Sequence, residues 1–538
     1  MSWDFIVVGA GSAGCAVVNR LTESGAKRVL LLEAGGSDKS LCIKIPAGLT
    51  ITERIEEYDW RYRSCSDPSR NNKTDHWARG RVVGGSSSIN GQMYVRGNAA
   101  DYDRWAAMGN EGWSAKDVMP IFQKLENSDK KNSDKETDER GTKGPVYVRT
   151  VKNCHPLSEA FLQSAQKSGY AFNPDYNNSC NGQEGVSYAE LTQRGGLRWS
   201  AADAFLKPIQ HRKNLCVVTH ACLHRLVFKE RRVTGVVYER EGVLHEAQAK
   251  NVVLCAGAIN SPKLLMLSGI GDKAALSALG IPVQLDRPSV GQNLIEHPLL
   301  NLTYRTKVPS YNPTEGLLQK AIFGLKYLLK RQGPIATVFE ATAFLKTQVE
   351  AVAPDIQLHF MPAGVARSGD DGPFVLPYPS VTVLLNKNHP LSRGRVRLVN
   401  DDPKEAPLIE CELLQREEDL ETLVRGVSLV RRIMSSAPMA DFIEQEIWPG
   451  DQHTEDATLK DYIRRNTSLA YHPVGTCRMG IDEDAVVTPD LKVRGIDNLW
   501  IADASVMPDL ISGNTNAACM MIGEKLGRQL ADKPVSNK

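Results

Sequence analysis

The sequence predicts an α/β fold containing a parallel sheet, and three observations carry that prediction. A short β-branched run, Phe5-Ile-Val-Val-Gly9, ends in glycine. A helix-forming stretch from Ala13 to Leu21 follows, and then a second apolar run, Val29-Leu-Leu-Leu-Glu33. Two strands joined by a crossover helix within about 30 residues are the building block of a parallel sheet. Neither run alternates polar with apolar residues, as expected of strands covered on both faces. Further strands are predicted at Leu215–Thr219, Val233–Glu239 and Val252–Cys255.

With 538 residues, 42% hydrophobic and 24% charged, the chain has room for two or more domains or one large unit with insertions. That composition excludes a disordered, collagenous or coiled-coil protein. Lys and Arg total 65 against 63 Asp and Glu, so no bulk electrostatic pull toward nucleic acid follows. The eleven cysteines form no CxxC pair and are odd in number, and HExxH is absent, so neither a disulfide framework nor a metal site is predicted. Cys15, Cys255 and Cys519 lie in apolar surroundings and read as reduced core residues. Met1-Ser-Trp-Asp runs into the first strand without a basic leader, and no apolar run nears membrane-spanning length, which together predict a cytoplasmic protein.

Glu126 to Gly144 (ENSDKKNSDKETDERGTKG) is charged and apolar-poor and reads as a solvated loop. Pro- and Gly-bearing stretches at Arg305–Glu315 and Gly364–Pro379 set off a middle region. Within it, Gly316–Arg331 (GLLQKAIFGLKYLLKR) is a basic amphipathic helix, expected to pack on the protein's own core, with a membrane surface as the alternative.

The turn after the first strand, Gly9-Ala-Gly11-Ser-Ala-Gly14, is GxGxxG in the context that gives the pattern meaning: strand before, helix after, and acidic Glu33 closing the second strand. Gly9 permits the tight turn, Gly11 lets backbone approach a pyrophosphate, and Gly14 lets helix pack closely on strand. The helix N-terminus offers free N–H groups to phosphates, and Glu33 accepts hydrogen bonds from a ribose. On this motif alone NAD and FAD remain open. Gly80-Arg-Val-Val-Gly-Gly-Ser-Ser-Ser-Ile-Asn90-Gly-Gln-Met-Tyr-Val-Arg-Gly97 suits the lining of an extended polar cofactor. Gly257-Ala-Ile-Asn-Ser-Pro-Lys-Leu-Leu-Met-Leu-Ser-Gly-Ile-Gly271 reads as a strand exit into a helix behind it.

Those two stretches resemble the two signature patterns of the glucose-methanol-choline (GMC) oxidoreductases. Val290-Gly-Gln-Asn-Leu-Ile-Glu-His-Pro298 and Leu499-Trp-Ile-Ala-Asp-Ala-Ser-Val-Met-Pro508 look like two further family blocks, and the resemblance runs from Gly9 to Leu526. It implies FAD. It also implies a Rossmann-like FAD-binding domain with a parallel sheet, made of residues 1–155, 193–298 and 468–538. A substrate-binding domain with an antiparallel sheet and helices takes 156–192 and 299–467. By this resemblance Ser12, Ala13, Ala34, Gly85, Ser86, Asn90, Gly91, Met93 and Val95 join the glycines and Glu33 around FAD. Asp503 and Ala504 lie near the ribityl-pyrophosphate, Leu223 near the adenine and Asn516 at the pyrimidine edge. Where some members carry a His bonded covalently to the flavin, this chain has Ile89, which implies noncovalent FAD.

The family's chemistry needs a base for the alcohol hydroxyl while hydride leaves carbon for flavin N5, and an imidazole suits that task. His472, in Tyr471-His-Pro-Val-Gly-Thr-Cys-Arg-Met-Gly480, matches the block around the family's catalytic His. Asn514, in Ser512-Gly-Asn-Thr-Asn516, falls where members place a second catalytic residue, Asn or His. An amide does not accept a proton near neutrality, so His472 is the expected base. The alternative is a hydrogen-bonded core histidine, with the asparagines capping a helix. Trp60, Phe339, Glu340, Phe360 and Tyr471 are the expected pocket walls; aromatics with one carboxylate suit choline, whereas core packing also explains the aromatics. The expected function is oxidation of a primary alcohol to its aldehyde, with electrons passed to a quinone or other acceptor. Alternatives are an oxidase making H2O2 from O2, choline dehydrogenation, and a non-redox hydroxynitrile lyase that keeps FAD. The basic helix would suit a membrane quinone, so the alternative to a purely cytoplasmic protein is one peripheral to the inner membrane.

Overall fold

A computed structural model describes residues 2–130, 140–179, 182–312, 316–367 and 373–532. The chain opens on β1 (Trp3–Val8), α1 (Ser12–Leu21) and β2 (Val29–Leu32), the β-α-β unit read from the sequence. β3 (Leu215–Val218) extends the sheet beyond β2, and the pairings β3–β2–β1 are all parallel. β4 (Ala221–Lys229), β5 (Arg232–Arg240) and β6 (Val243–Leu254) form an antiparallel meander. The second half of β6 then turns into the parallel sheet, between β1 and the strand Leu499–Ile501. The β1 and β2 side chains from Phe5 onward are buried on both faces, which explains their unbroken apolar runs.

The middle region folds on a second, antiparallel sheet. Its strands are β7 (Pro298–Thr306), β8 (Ala341–Leu345), β9 (Ile356–Met361) and β10 (Ser380–Lys387), flanked by Gly185–Tyr188 and Ile443–Trp448. The order is Ile443–Trp448, β7, β10, β9, β8, Gly185–Tyr188. One face presents Leu300, Val383, Leu358 and Phe360 to the helices Pro156–Lys167 and Glu417–Met434. The other face carries Leu299, Asn301, Leu384, His359 and Met361 and faces the parallel-sheet half of the molecule. The C-terminal helix Asn516–Ala531 packs along α1, so the last residues return to the first glycine loop.

Two expectations are corrected here. The charged stretch beginning at Glu126 is not a solvated loop at its ends: Glu126–Ser128 is a strand, and Glu126 and Arg140 are buried. The Arg140 guanidinium donates to Glu126 (2.8 Å), Asp175 (2.5 Å) and Glu190 (2.7 Å), so the charges pair with one another rather than with water. Residues 131–139 lie outside the described residues. The second correction concerns helix Gly316–Lys330, which does not bury its apolar face. Ile322, Leu325, Leu328 and Leu329 are exposed, the last by 73%, while Tyr327 anchors the helix by donating to Gly196 O. Among the described residues, no helix is long and apolar enough to cross a membrane.

Candidate active site

A single cleft runs between the two sheets from Glu33 to Asn514. At one end lies the glycine loop. Gly9 has φ +100°, and a Cβ there would stand 2.5 Å from Cys255 O. A Cβ on Gly14 would meet Gly9 O at 1.9 Å, so α1 can close on β1 only without a side chain. Gly14 is thus a packing residue and does not line the cleft, whereas Gly9, Gly11, Ser12 and Ala13 do. No side chain caps α1, so its first-turn amides face the cleft as an anion seat.

Glu33, the residue after β2, has a buried carboxylate that accepts the Ala10 amide through Oε2 and the Gly35 amide through Oε1, each at 2.8 Å. Burial pushes its pKa up to about 7 against those two bonds. Ala34 and Leu223 line the same end. Trp60, expected in the substrate pocket, is instead placed here. It stacks on Tyr62 at 5.8 Å, and both rings border a recess with Ala34, Arg81, His220 and Cys222.

Midway, Gly85, Ser86, Ile89, Asn90, Gly91 and Met93 line one wall and Asp503 and Ala504 the other. Asp503 is held by the Gly257 amide (2.8 Å), the Ser261 hydroxyl (2.5 Å) and the Ser505 amide (2.8 Å), while burial raises its pKa. Ser12 Oγ donates to Asn516 Oδ1 at 2.7 Å, joining the glycine loop to the C-terminal helix. That helix begins after Thr515 without a side-chain cap, so helix capping does not account for Asn514 or Asn516. Val95 does not reach the cleft; it packs with Tyr176 and Phe344 and backs the Gly513 turn.

The far end holds the imidazoles. His472 lines the cleft at 8% exposure, and Asn514 Nδ2 stands 3.0 Å from its Nε2. On its other side His472 Nδ1 lies 3.0 Å from Nδ1 of His297, whose Nε2 is 2.8 Å from Asn388 O. Glu296 Oε1 accepts the backbone amides of both His472 (2.7 Å) and His297 (2.9 Å), fixing the two segments to each other. Burial lowers His472 well below the ordinary histidine value, and the facing His297, His359 and Arg79 lower it further. Burial also brings His297 down to about 3 and lifts Glu296 to about 8.

Around this pair the wall is Leu299, Asn301, Phe339, His359, Met361 and Leu384, with Leu469 and Tyr471 beside them. Of the residues the sequence suggested as pocket walls, Phe339 and Tyr471 line this part of the cleft, and Phe360 and Glu340 do not. Phe360 is one residue out of register with the lining His359, so it points to the opposite face and stacks on Phe161 at 4.5 Å. Glu340 turns away to accept the His155 amide (2.7 Å), the Ser158 hydroxyl (2.7 Å) and the Tyr311 hydroxyl (3.0 Å). His297 sits in a block already singled out in the sequence, but its contacts with His472 and Asn388 are visible only in space. His359 is hidden in a strand buried on both faces.

The cleft therefore offers an open helix terminus, a buried acid for a ribose and a facing pair of neutral imidazole and amide, a set that fits a dinucleotide cofactor and a proton-accepting reaction. Comparison with known proteins agrees. The family model GMC oxidoreductase matches residues 3–299 with its N-terminal part and 390–523 with its C-terminal part. An alcohol dehydrogenase [acceptor] from Pseudomonas putida is 36% identical over 99% of this chain and 96% of its own. An oxygen-dependent choline dehydrogenase from Rhizobium johnstonii is 39% identical over the same shares. The crystal structure of pyridoxine 4-oxidase from Mesorbium loti superposes with a TM-score of 0.89 at 31% identity, covering 98% of this chain and 99% of the other. With the family's models matched at both ends and relatives aligned along almost its whole length, the chain belongs to the GMC oxidoreductases and is an FAD-dependent oxidoreductase.

Proposed function

We propose that the chain oxidises an uncharged primary alcohol to its aldehyde at the His472–Asn514 end of the cleft. The glycine loop and the open α1 terminus hold the FAD pyrophosphate, Glu33 the adenosine ribose, and Asn516 the pyrimidine edge of the flavin. Bound there, FAD supplies the acceptor for the hydride that the alcohol carbon gives up. With the aliphatic Ile89 on the wall, FAD is held noncovalently, and acid precipitation releases it into the supernatant.

The protein's own part is proton chemistry. The alcohol hydroxyl takes over the space where Asn514 Nδ2 and His472 Nε2 now meet, its proton toward His472 and its oxygen toward the amide. His472 is neutral, because burial opposes its charged form, and it accepts the proton as the O–H bond breaks. Asn514 donates to the oxygen on which negative charge grows. The 3.0 Å contact of these two groups at the end of the cleft is the observation that carries the reading.

The wall favours an apolar alcohol over choline. None of Leu299, Asn301, Phe339, His359, Met361 and Leu384 is acidic, and Glu340 is turned away. The carboxylates that do line the cleft are Glu33 and Asp503, along the proposed cofactor path, and Glu53 on another segment. Electrons then pass to a quinone or similar acceptor. The exposed Ile322, Leu325, Leu328 and Leu329, on a helix that carries Lys320, Lys326 and Lys330 and no acid, support peripheral contact with an anionic membrane, which co-sedimentation with anionic vesicles tests.

Anaerobic mixing of the FAD-loaded protein with straight-chain alcohols, benzyl alcohol and choline is the decisive experiment. Loss of flavin absorbance near ~450 nm with the uncharged alcohols supports the proposal. Bleaching by choline alone overturns the substrate class, and no bleaching with any of them leaves the lyase reading. Admitting air afterwards separates an oxidase, which recolours at once, from a dehydrogenase.

A further inference from the structure

The contacts joining His472, His297 and the Asn388 carbonyl favour one arrangement of protons. Asn388 contributes a carbonyl oxygen, which only accepts, so His297 Nε2 at 2.8 Å carries a hydrogen. His297 is fully buried and neutral, so its Nδ1 holds a lone pair. That nitrogen lies 3.0 Å from His472 Nδ1, which must donate to it. A neutral His472 with hydrogen on Nδ1 is bare at Nε2. The other end of the chain of contacts leads to the same assignment. Gln357 Nε2 donates to Asn514 Oδ1 at 3.4 Å, turning the Asn514 amide so that Nδ2 presents its hydrogens to His472 Nε2. A donor facing that nitrogen again requires a lone pair on it. The two rings stand nearly perpendicular, 87° apart, so one nitrogen of each can meet while the other points along the chain.

We propose that His297 is a positioning residue that locks His472 in the tautomer with hydrogen on Nδ1, leaving Nε2, beside Asn514, as the proton acceptor. The proposal rests on His472 being the base. It adds that the base is oriented by a neutral imidazole where a carboxylate often stands in other enzymes with a catalytic histidine. When the alcohol O–H bond breaks and the Nε2–H bond forms, Nδ1 keeps its hydrogen bond to His297, so no second proton moves. Glu296, holding the backbone amides of both residues on one oxygen, keeps the imidazoles in reach.

His297→Leu removes the acceptor with little change of volume, and His297→Asn restores an acceptor oxygen near the position of Nδ1. Both are measured FAD-loaded, by anaerobic flavin reduction at saturating straight-chain alcohol. The Leu variant is expected to lose about 10- to 100-fold in limiting rate, a part of what a positioned base contributes. The half-saturating alcohol concentration stays within about twofold, and the Asn variant recovers most of the rate. A Leu variant as fast as wild type, or an Asn variant no faster than Leu, overturns the proposal. Histidine 15N NMR of the wild-type holoenzyme needs no variant to fold. His472, assigned by the signals lost in His472→Ala, is expected to be protonated at Nδ1 and bare at Nε2, and the reverse pattern overturns the proposal. His472→Ala in the same reduction assay separates the two levels. If it reduces at the wild-type rate, the base itself is misassigned; if it is slow while His297→Leu is not, only the tautomer lock fails.

Discussion

Gly11 and Gly14 lie three residues apart in one motif, yet the structure gives them opposite sensitivities to a methyl group. On Gly14 a Cβ would stand 1.9 Å from Gly9 O and 3.1 Å from the Cys255 side chain, an overlap with backbone that only separation of α1 from β1 relieves. Overpacking of that kind costs about 1–3 kcal/mol, felt by the apoprotein. On Gly11 the nearest atoms are Gly85 Cα at 3.9 Å and Cys255 O at 4.0 Å, and its φ of −81° suits any residue. Gly11→Ala should therefore leave apoprotein stability within about 0.5 kcal/mol. The methyl group instead fills the space through which the proposed pyrophosphate approaches the α1 amides. If the same strain of about 1–3 kcal/mol falls on the complex, the FAD dissociation constant rises about 5- to 150-fold. Thermal unfolding of the apoproteins and fluorescence titration with FAD measure the two effects separately. Unchanged FAD affinity in Gly11→Ala, or an unperturbed apoprotein in Gly14→Ala, would refute the division of labour drawn here.

Four further outcomes follow from the same geometry. Phe360→Ala, removing a ring stacked on Phe161, should cost about 3–5 kcal/mol of stability with little change in the alcohol's KM. His359→Ala, on the adjacent but lining position, should shift KM and the alcohol profile instead, and steady-state kinetics across the panel distinguishes them. Arg140→Met leaves Glu126 to Arg96 alone and Asp175 and Glu190 to share Lys130, so three buried carboxylates keep only part of their compensation, and denaturant titration should show a loss of about 3 kcal/mol, the low end for breaking a buried pair. For pH, the sign is set by the downward shift of His472. Its neutral form persists below the ordinary value of 6.5, so the flavin-reduction rate should stay level from about pH 8 through 6.5, where an exposed imidazole would already lose half its activity.

The parallel half of the fold was legible because burial on both faces leaves unbroken apolar runs, and glycine marks the turn between strand and helix. Phe5–Gly9, Ala13–Leu21 and Val29–Glu33 all match elements to within about a residue or two. The antiparallel sheet was harder to read. Ile356–Met361 is buried on both faces, so nothing in the string IQLHFM says whether His359 or Phe360 meets the cleft; only pairing with β10 and β7 sets the parity. Glu340 looked like a ligand for a cationic substrate because sequence shows a carboxylate but not the three donors that occupy it. Charge density misled at Glu126 and Arg140 for a related reason, since a salt-bridge network assembled from distant segments has the composition of a solvated loop. The apolar positions of helix Gly316–Lys330 suggested a core that the fold does not supply. His472 and Asn514 were found by resemblance, while the role proposed for His297 rests on contacts 175 and 91 residues distant in sequence.

The central claim is that the neutral imidazole of His472, set against Asn514, takes the alcohol's proton. Its most direct test is rapid anaerobic mixing of FAD-loaded His472→Ala with a saturating primary alcohol. Flavin reduction slowed by about 10²–10⁴-fold, with the FAD spectrum and content unchanged, is the predicted result. Reduction at the wild-type rate in a variant that still holds FAD would contradict it.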